Sequence, residues 1–124
     1  MGFRALEEIE AFQLSVDFKR AVYLLVKKHP SANRDFSFRG QLFGAAAGAS
    51  ANIAEGFARQ GARVFRQFLT YARSSVAEAL TWIDDGVDRN YYPASATRDA
   101  VVLGRRTAGA IAALQRSLKP FIKE

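Results

Sequence analysis

Side chains that could carry out chemistry are scarce in this sequence. Its 124 residues include no cysteine and one histidine, His29, which directly precedes Pro30. A histidine beside a helix-ending proline is far more often a turn residue than a catalyst. A di-iron site in a helical bundle needs Glu-x-x-His pairs, and P-loop, dinucleotide and nucleophile-elbow motifs are equally missing from the sequence. We therefore expect no enzyme activity, no metal site and no cofactor.

The strongest candidate for binding is a row of basic residues near the carboxyl end. On a helix, Arg98, Arg105, Arg116 and Lys123 fall within about 20° of one another, at rises of roughly 10 to 16 Å. Arginine offers bidentate contacts to phosphate, and a net charge of +6 with a pI near 10.1 favours an acidic partner. The row predicts nucleic-acid binding, to RNA or DNA, through phosphates. A solvated helix face with incidental charge is the alternative.

A second basic group lies around the predicted turn between helices two and three. It consists of Arg59, Arg63 and Arg66, and it is the next candidate if the first row is the wrong face.

No aromatic residues alternate with the row that begins at Arg98, so single-stranded bases have no obvious stacking platform there.

Several polar side chains on predicted helices two and three form another group. Glu55 precedes Arg59 by four residues, which places the two on one helix face. If the helices pack antiparallel, Glu55 can also reach Arg66 or Arg73. We predict a structural network of hydrogen bonds and ion pairs, with a ligand site as the alternative. The predicted members are Gln41, Asn52, Glu55, Arg73, Ser75 and Glu78.

Four helical stretches must position these groups. The hydrophobic pattern predicts helices at about residues 7–28, 35–59, 62–90 and 95–119. The breaks between them are short, and two of them contain Pro30 and Pro93. Because short connections make consecutive helices antiparallel neighbours, the predicted fold is all-α. It is an antiparallel up-down four-helix bundle that forms a single domain over residues 1–124.

Helix one carries two apolar stripes, whereas a bundle helix needs only one buried face. The first stripe includes Leu14, Phe18 and Leu25 and faces the core. The second consists of Ile9, Phe12, Val16 and Tyr23. We predict that this second stripe contacts another subunit; a wider core face or scattered surface apolar residues are the alternatives.

Helix two is rich in small residues. Gly40, Gly44 and Gly48 lie with several alanines along one ridge, although each glycine costs the helix roughly 1 kcal/mol relative to alanine. We expect that a neighbouring backbone approaches this ridge closely.

The apolar runs are all broken by charge well before about 18 residues, so no membrane span is predicted. The acidic start of the chain does not resemble a signal peptide. We therefore expect a cytoplasmic protein.

Two sequence strings are distinctive in combination. Residues 52–57 read Asn-Ile-Ala-Glu-Gly-Phe, and residues 68–78 contain Ala-Arg-Ser-Ser-Val-Ala-Glu. Together with Gln41, Phe12 and His29-Pro30, they resemble the bacterial four-helix-bundle family first named for proteins encoded in intervening sequences of large-subunit ribosomal RNA genes. Accessory variability determinants of diversity-generating retroelements belong to the same family.

The resemblance implies a homopentameric ring of bundles. In the retroelement members it also implies binding to nucleic acid and to a reverse transcriptase. Two hypotheses follow for this chain. In the first, it is a basic, homo-oligomeric accessory protein that binds nucleic acid; in the second, it is a structural or protein-partner scaffold whose positive charge is incidental.

Overall fold

The computed structural model describes residues 2–122, which contain five α-helices and three short 3-10 turns joined by short connections. The helices are α1 (Glu10–Lys27), α2 (Pro30–Arg34), α3 (Phe36–Ala58), α4 (Ala62–Asp88) and α5 (Arg98–Leu118). The 3-10 turns are Leu6–Glu8, Ala94–Thr97 and Lys119–Phe121. The predicted all-α fold is confirmed.

The four long helices pack in the cyclic order α1, α3, α4, α5, so α1 lies diagonally across from α4. The interface between α3 and α4 is the most extensive. Consecutive long helices are neighbours joined by short connections, which is the arrangement of an up-down bundle. The α4–α5 side of this bundle positions the basic residues discussed below.

Particular residues set the helix boundaries. Pro30 occupies the first turn of α2, where its missing N–H costs no hydrogen bond. This single extra turn lies in the predicted first break. The Asp35 carboxylate caps α3 by accepting the Phe38 backbone N–H at 3.0 Å. Gly61 precedes α4 with a φ of 111°, a conformation that favours glycine.

The core is formed by large side chains from all four long helices. Phe18, Phe38, Phe65 and Ile111 are each at most 1% exposed. Ile9 belongs to the same core at 1% exposure, so its prediction as a subunit-contact residue is wrong. The turn before α1 directs Ile9 into its own protomer, which the helical pattern alone does not reveal.

Glycines allow the close packing of α3 on α4. A Cβ atom on Gly56 would lie 2.6 Å from the Cβ of Phe68, and one on Gly48 would lie 2.9 Å from the Oγ of Ser75. At Gly48 the predicted small ridge of α3 is thus approached by the Ser75 side chain rather than by the expected neighbouring backbone. Within the described residues, a Cβ on Gly40 or Gly44 would meet nothing within 4 Å. Those two glycines serve no packing purpose inside the protomer.

Within residues 2–122, none of the helices is long and apolar enough to cross a membrane.

Candidate nucleic-acid interface

The basic row lies on the solvent side of α5. Arg98 is the first residue of this helix, and Arg98, Arg105 and Arg116 are all exposed. Their spacing on a continuous 21-residue helix gives the shared face that the sequence predicted. Lys123, the fourth member, lies outside the described residues.

The ion pairs of the described chain leave this row unneutralised. They are Arg59–Glu55, Arg89–Asp35 and Arg89–Asp85, and none of them involves an α5 arginine. Acidic residues are nevertheless near the amino end of the row, since Asp99 follows Arg98 and a pocket between α4 and α5 is lined by both Asp84 and Arg105. The positive potential should therefore be stronger towards Arg116.

The second basic group is divided by the structure. Arg59 forms an ion pair with Glu55 at 3.0 Å, and its guanidinium lies 5.1 Å from the centre of the Phe68 ring. Arg66 instead donates from Nε to the backbone oxygen of Gln115 at 3.0 Å, across the α4–α5 interface. Arg63 lines the same interface. Arg63 and Arg66 therefore lie at the α4–α5 interface, and only Arg59 stays with the α3–α4 turn.

Those residues border a groove between the start of α4 and the end of α5. Its volume is about 570 Å³, and we call it the corner groove. It is lined by Arg63, Arg66, Gln67, Thr70, Gln115, Lys119 and Ile122. Most of these side chains are cationic or carry amide or hydroxyl groups, which suits binding of an anion.

Gln115 connects the groove to both helices and was not identified from the sequence. Its side-chain nitrogen donates to the backbone oxygen of Arg66 at 3.1 Å and to the Thr70 hydroxyl at 2.9 Å. Its side-chain oxygen accepts from Nη1 of Arg73 at 3.1 Å. The residue is only 7% exposed. Both the nitrogen and the oxygen of its buried amide make hydrogen bonds.

The predicted polar network does not form as one unit. Arg73 faces α5 and bonds to Gln115, whereas Glu55 bonds to Arg59 on its own helix. Asn52 donates to the Gly48 oxygen at 2.8 Å, also within α3. Gln41 and Glu78 are exposed. The prediction is wrong in linking Glu55 to Arg66 or Arg73, because those arginines lie on the side of α4 that packs against α5.

The remaining predicted subunit-contact residues lie on the flank of α1 that faces α3. Phe12, Val16 and Tyr23 are half-buried. The rings of Tyr23 and Phe43 are 4.4 Å apart, so part of this stripe is already used to pack α1 on α3. The exposed parts of these three side chains lie on the side of α1 next to α3. The outward face of α3 carries Gly40 and Gly44.

The chain matches one family model, described as 23S rRNA-intervening sequence protein, over residues 7–107. It belongs to that family. Its structure is similar to the 1.70 Å crystal structure of a protein of unknown function from the S23 ribosomal protein family of Bacteroides thetaiotaomicron VPI-5482. The TM-score is 0.62 at 18% identity, over 92% of this chain and 99% of that one, which establishes a shared fold. No curated protein matches the chain significantly.

The two strings that resemble the 23S rRNA-intervening sequence proteins lie in the α3–α4 pair. Gly56 contacts Phe68, and Gly48 leaves room for Ser75, so much of this motif packs one helix on the other. The matched range ends at residue 107. Gln115 and Lys119 of the corner groove therefore lie beyond it.

The opposite end of the bundle holds a different polar cluster. Asp35 accepts hydrogen bonds from the Tyr91 hydroxyl and from Arg89. The Tyr91 hydroxyl, the Phe38 backbone N–H and the Arg89 charge together hold the pKa of Asp35 below its usual value. Burial and the nearby Asp85 and Asp84 raise the pKa of Tyr92, whose hydroxyl donates to the Ile83 oxygen at 2.9 Å. These contacts join the α3 start to the α4–α5 connection.

His29 contributes to this end as a structural residue. Its Nδ1 lies 2.8 Å from the Leu25 oxygen, and its ring meets the Tyr92 ring edge-on at 5.5 Å. Within the described residues, no group of three histidine, aspartate or glutamate side chains is arranged to hold a metal ion.

Proposed function

We propose that this member of the 23S rRNA-intervening sequence family is a non-enzymatic, homo-oligomeric protein that binds nucleic acid through phosphate contacts. The observation that carries the proposal is the exposed row of Arg98, Arg105 and Arg116 on α5, which no carboxylate of the described chain neutralises. Phosphate contacts made by arginine position a protein on nucleic acid without reading its sequence. The family description, which names an intervening sequence of 23S rRNA, agrees with a polynucleotide as the partner.

Assembly would strengthen such binding. One protomer offers three of these arginines within the described residues, so a single copy should bind weakly. A ring repeats the row around its rim, and multivalent contact raises the apparent affinity by orders of magnitude. The resemblance to retroelement proteins favours five copies and adds a reverse transcriptase as a candidate partner.

The outward face of α3 supports self-association. Gly40 and Gly44 have open space around them in the protomer, and Ala51 and Ala58 on the same face are exposed. An exposed patch of small apolar residues of this kind favours contact with another chain. This face continues into the half-exposed Phe12, Val16 and Tyr23 of α1, since Tyr23 packs on Phe43 of α3.

A scaffold for protein partners is the second candidate function, and the same α3 face favours it. In that case the face binds a different protein and the positive charge plays no part. The two functions differ in whether the purified oligomer binds nucleic acid.

Binding is tested by fluorescence anisotropy with a structured RNA hairpin and a DNA duplex at several salt concentrations. We expect similar affinity for different sequences and a steep loss of affinity as salt rises. Simultaneous reversal of Arg98, Arg105 and Arg116 to Glu should abolish most of this binding. The matched control reverses Arg20, Lys27 and Arg34, three exposed cations of α1 and α2, which gives the same change in net charge.

Absence of binding by the intact oligomer at about 50 mM salt would contradict the proposal, since electrostatic contacts are strongest at low salt. Equal losses in the reversal and its control would mean that net charge, rather than the α5 face, determines binding. Helicity and oligomer mass should stay unchanged in both variants.

A further inference from the structure

The corner groove combines positive charge with fixed hydrogen-bond donors. Arg63 and Arg66 come from the first turns of α4, and Lys119 comes from the turn that follows α5. Gln67 and Thr70 add an amide and a hydroxyl to its wall. No carboxylate of residues 2–122 lines the groove. This contrasts with the amino end of the α5 row, where Asp84 and Asp99 lie close by.

Gln115 fixes two of the surrounding arginines. Its backbone oxygen accepts from Nε of Arg66 at 3.0 Å, and its side-chain oxygen accepts from Nη1 of Arg73 at 3.1 Å. The amide itself is held in place by bonds to the Arg66 backbone and to Thr70. Within residues 2–122 each of these two guanidinium groups donates one hydrogen bond, to Gln115, and a guanidinium has five N–H donors, so others remain for a ligand. An arginine that is already oriented loses less entropy when it binds an anion.

The corner groove and the exposed arginine row share the carboxyl end of α5. Arg116 directly follows Gln115 and is exposed at the carboxyl end of α5. A nucleic-acid backbone that follows the row towards Arg116 would approach the groove at an end where, within residues 2–122, no carboxylate lines the groove.

We propose that the corner groove is a phosphate-binding site for the nucleic-acid backbone, with Arg66 and Lys119 as ligand contacts and Gln115 as a positioning residue. This inference rests on the proposed function. It places the strongest phosphate contacts in the groove between α4 and α5, rather than evenly along α5.

The first test removes two cations of the groove. The double variant Arg66→Gln and Lys119→Gln should weaken binding of the RNA hairpin by at least about tenfold, since each charge-assisted contact contributes substantially. The slope of log affinity against log salt should fall by about two, one for each lost phosphate contact. The matched control, Arg20→Gln with Lys27→Gln on α1, loses the same charge far from the groove and should keep the salt slope.

The second test concerns Gln115 and leaves the charge unchanged. Gln115→Met keeps a similar volume but removes the amide that holds the Arg66 backbone, contacts Thr70 in the groove wall and orients Arg73. We expect a threefold to tenfold loss of affinity, on the order of one hydrogen bond to a charged group, together with a lower salt slope. A purely structural role would lower the melting temperature and leave the salt slope of the folded protein as it was.

The outcomes separate this inference from the proposed function. If the wild type does not bind nucleic acid, both fall. If it binds, and if the α5 reversal weakens binding while the groove double variant behaves like its α1 control, the groove assignment is overturned and the function stands. Lys119→Gln alone changes an exposed side chain, so it provides a folded variant if substitution of Arg66 disturbs the bundle.

Discussion

Asp35 shows how one side chain can join three parts of a helical bundle. Its carboxylate caps α3 at the Phe38 N–H, accepts the Tyr91 hydroxyl and pairs with Arg89. Arg89 in turn donates to Asp85 at 2.6 Å, an interaction that raises the pKa of Arg89. The charged form of Asp35 is therefore the one that the folded state stabilises.

The stability contribution of Asp35 should depend on pH. Its folded-state pKa is lowered, first by Tyr91 and then by the Phe38 N–H, so the contribution is present above the ordinary value and lost as pH falls through the folded value. Asp35→Asn keeps an N-cap oxygen but loses the charge. We expect Asp35→Asn to have a lower melting temperature than wild type at pH 7. The difference between the two melting temperatures should disappear as the pH drops below about 4. Asp17→Asn, on the exposed side of α1, is the control; a gap that is constant with pH would contradict the assignment.

Glu55 should contribute little to stability. Its ion pair with Arg59 lies at the surface, with 52% and 57% of the two side chains exposed. Exposed pairs typically contribute less than about 1 kcal/mol, so Glu55→Ala should lower the free energy of unfolding by no more than that. Chemical denaturation of wild type, Glu55→Ala, Arg59→Ala and the double variant measures the coupling energy between Glu55 and Arg59. A loss of about 3 kcal/mol, the size seen for broken buried pairs, would mean that Glu55 is covered in the assembled protein.

The helix-scale architecture depends on where small residues lie along α3. Gly48 and Gly56 face α4, where a side chain would collide with Ser75 or Phe68. Gly40 and Gly44 face outwards with nothing within 4 Å. The same residue type therefore serves tight packing on one side of the helix and an open surface on the other.

Alanine substitutions should separate these two sides. Gly56→Ala would place its Cβ 2.6 Å from Phe68, and overpacking of this kind typically costs about 1–3 kcal/mol. Gly44→Ala meets no atom in the protomer and should stabilise the isolated bundle by about 0.5–1 kcal/mol through helix propensity. Urea denaturation at matched protein concentration tests both. A destabilising Gly44→Ala would mean that another chain packs against this position.

At the scale of the whole molecule, two opposite sides of the bundle differ in character. The outward face of α3 exposes Gly40, Gly44, Ala51 and Ala58, and Tyr23 of α1 packs on this helix at Phe43. The opposite side of the bundle, between α4 and α5, carries the cations proposed to bind phosphate. The proposed self-association through α3 and the proposed nucleic-acid binding through α5 therefore use different surfaces and are compatible with each other.

Charged substitutions on the α3 side should dissociate the oligomer. We expect a closed ring, with five subunits favoured by the resemblance, and a monomer mass for Phe12→Asp with Val16→Asp. Ala51→Glu changes only an exposed α3 residue and should have the same effect without disturbing the core. Light scattering after size exclusion measures the mass, circular dichroism checks helicity, and Ala77→Glu on the exposed side of α4 is the control. A wild type that is monomeric at micromolar concentration would overturn the assembly proposal.

The sequence by itself determined the helical architecture and the common face of the basic row. Periodic apolar residues, Pro30, Gly61 and Pro93 specify where helices form and stop, because these signals are local to the backbone. The angle between Arg98 and Arg105 follows from helix geometry alone. The family strings were also readable without a structure, and the matched range covers both of them.

Only the tertiary structure decided which helix each polar side chain faces. A helical pattern gives a direction around one axis, but it does not say which neighbour lies there. Gln115 meets Arg66 across 49 residues of sequence, and Arg73 turns to the same glutamine instead of to Glu55. Ile9 enters the core because the turn before α1 directs it inwards. The corner groove, like these contacts, exists because the start of α4 and the end of α5 lie side by side.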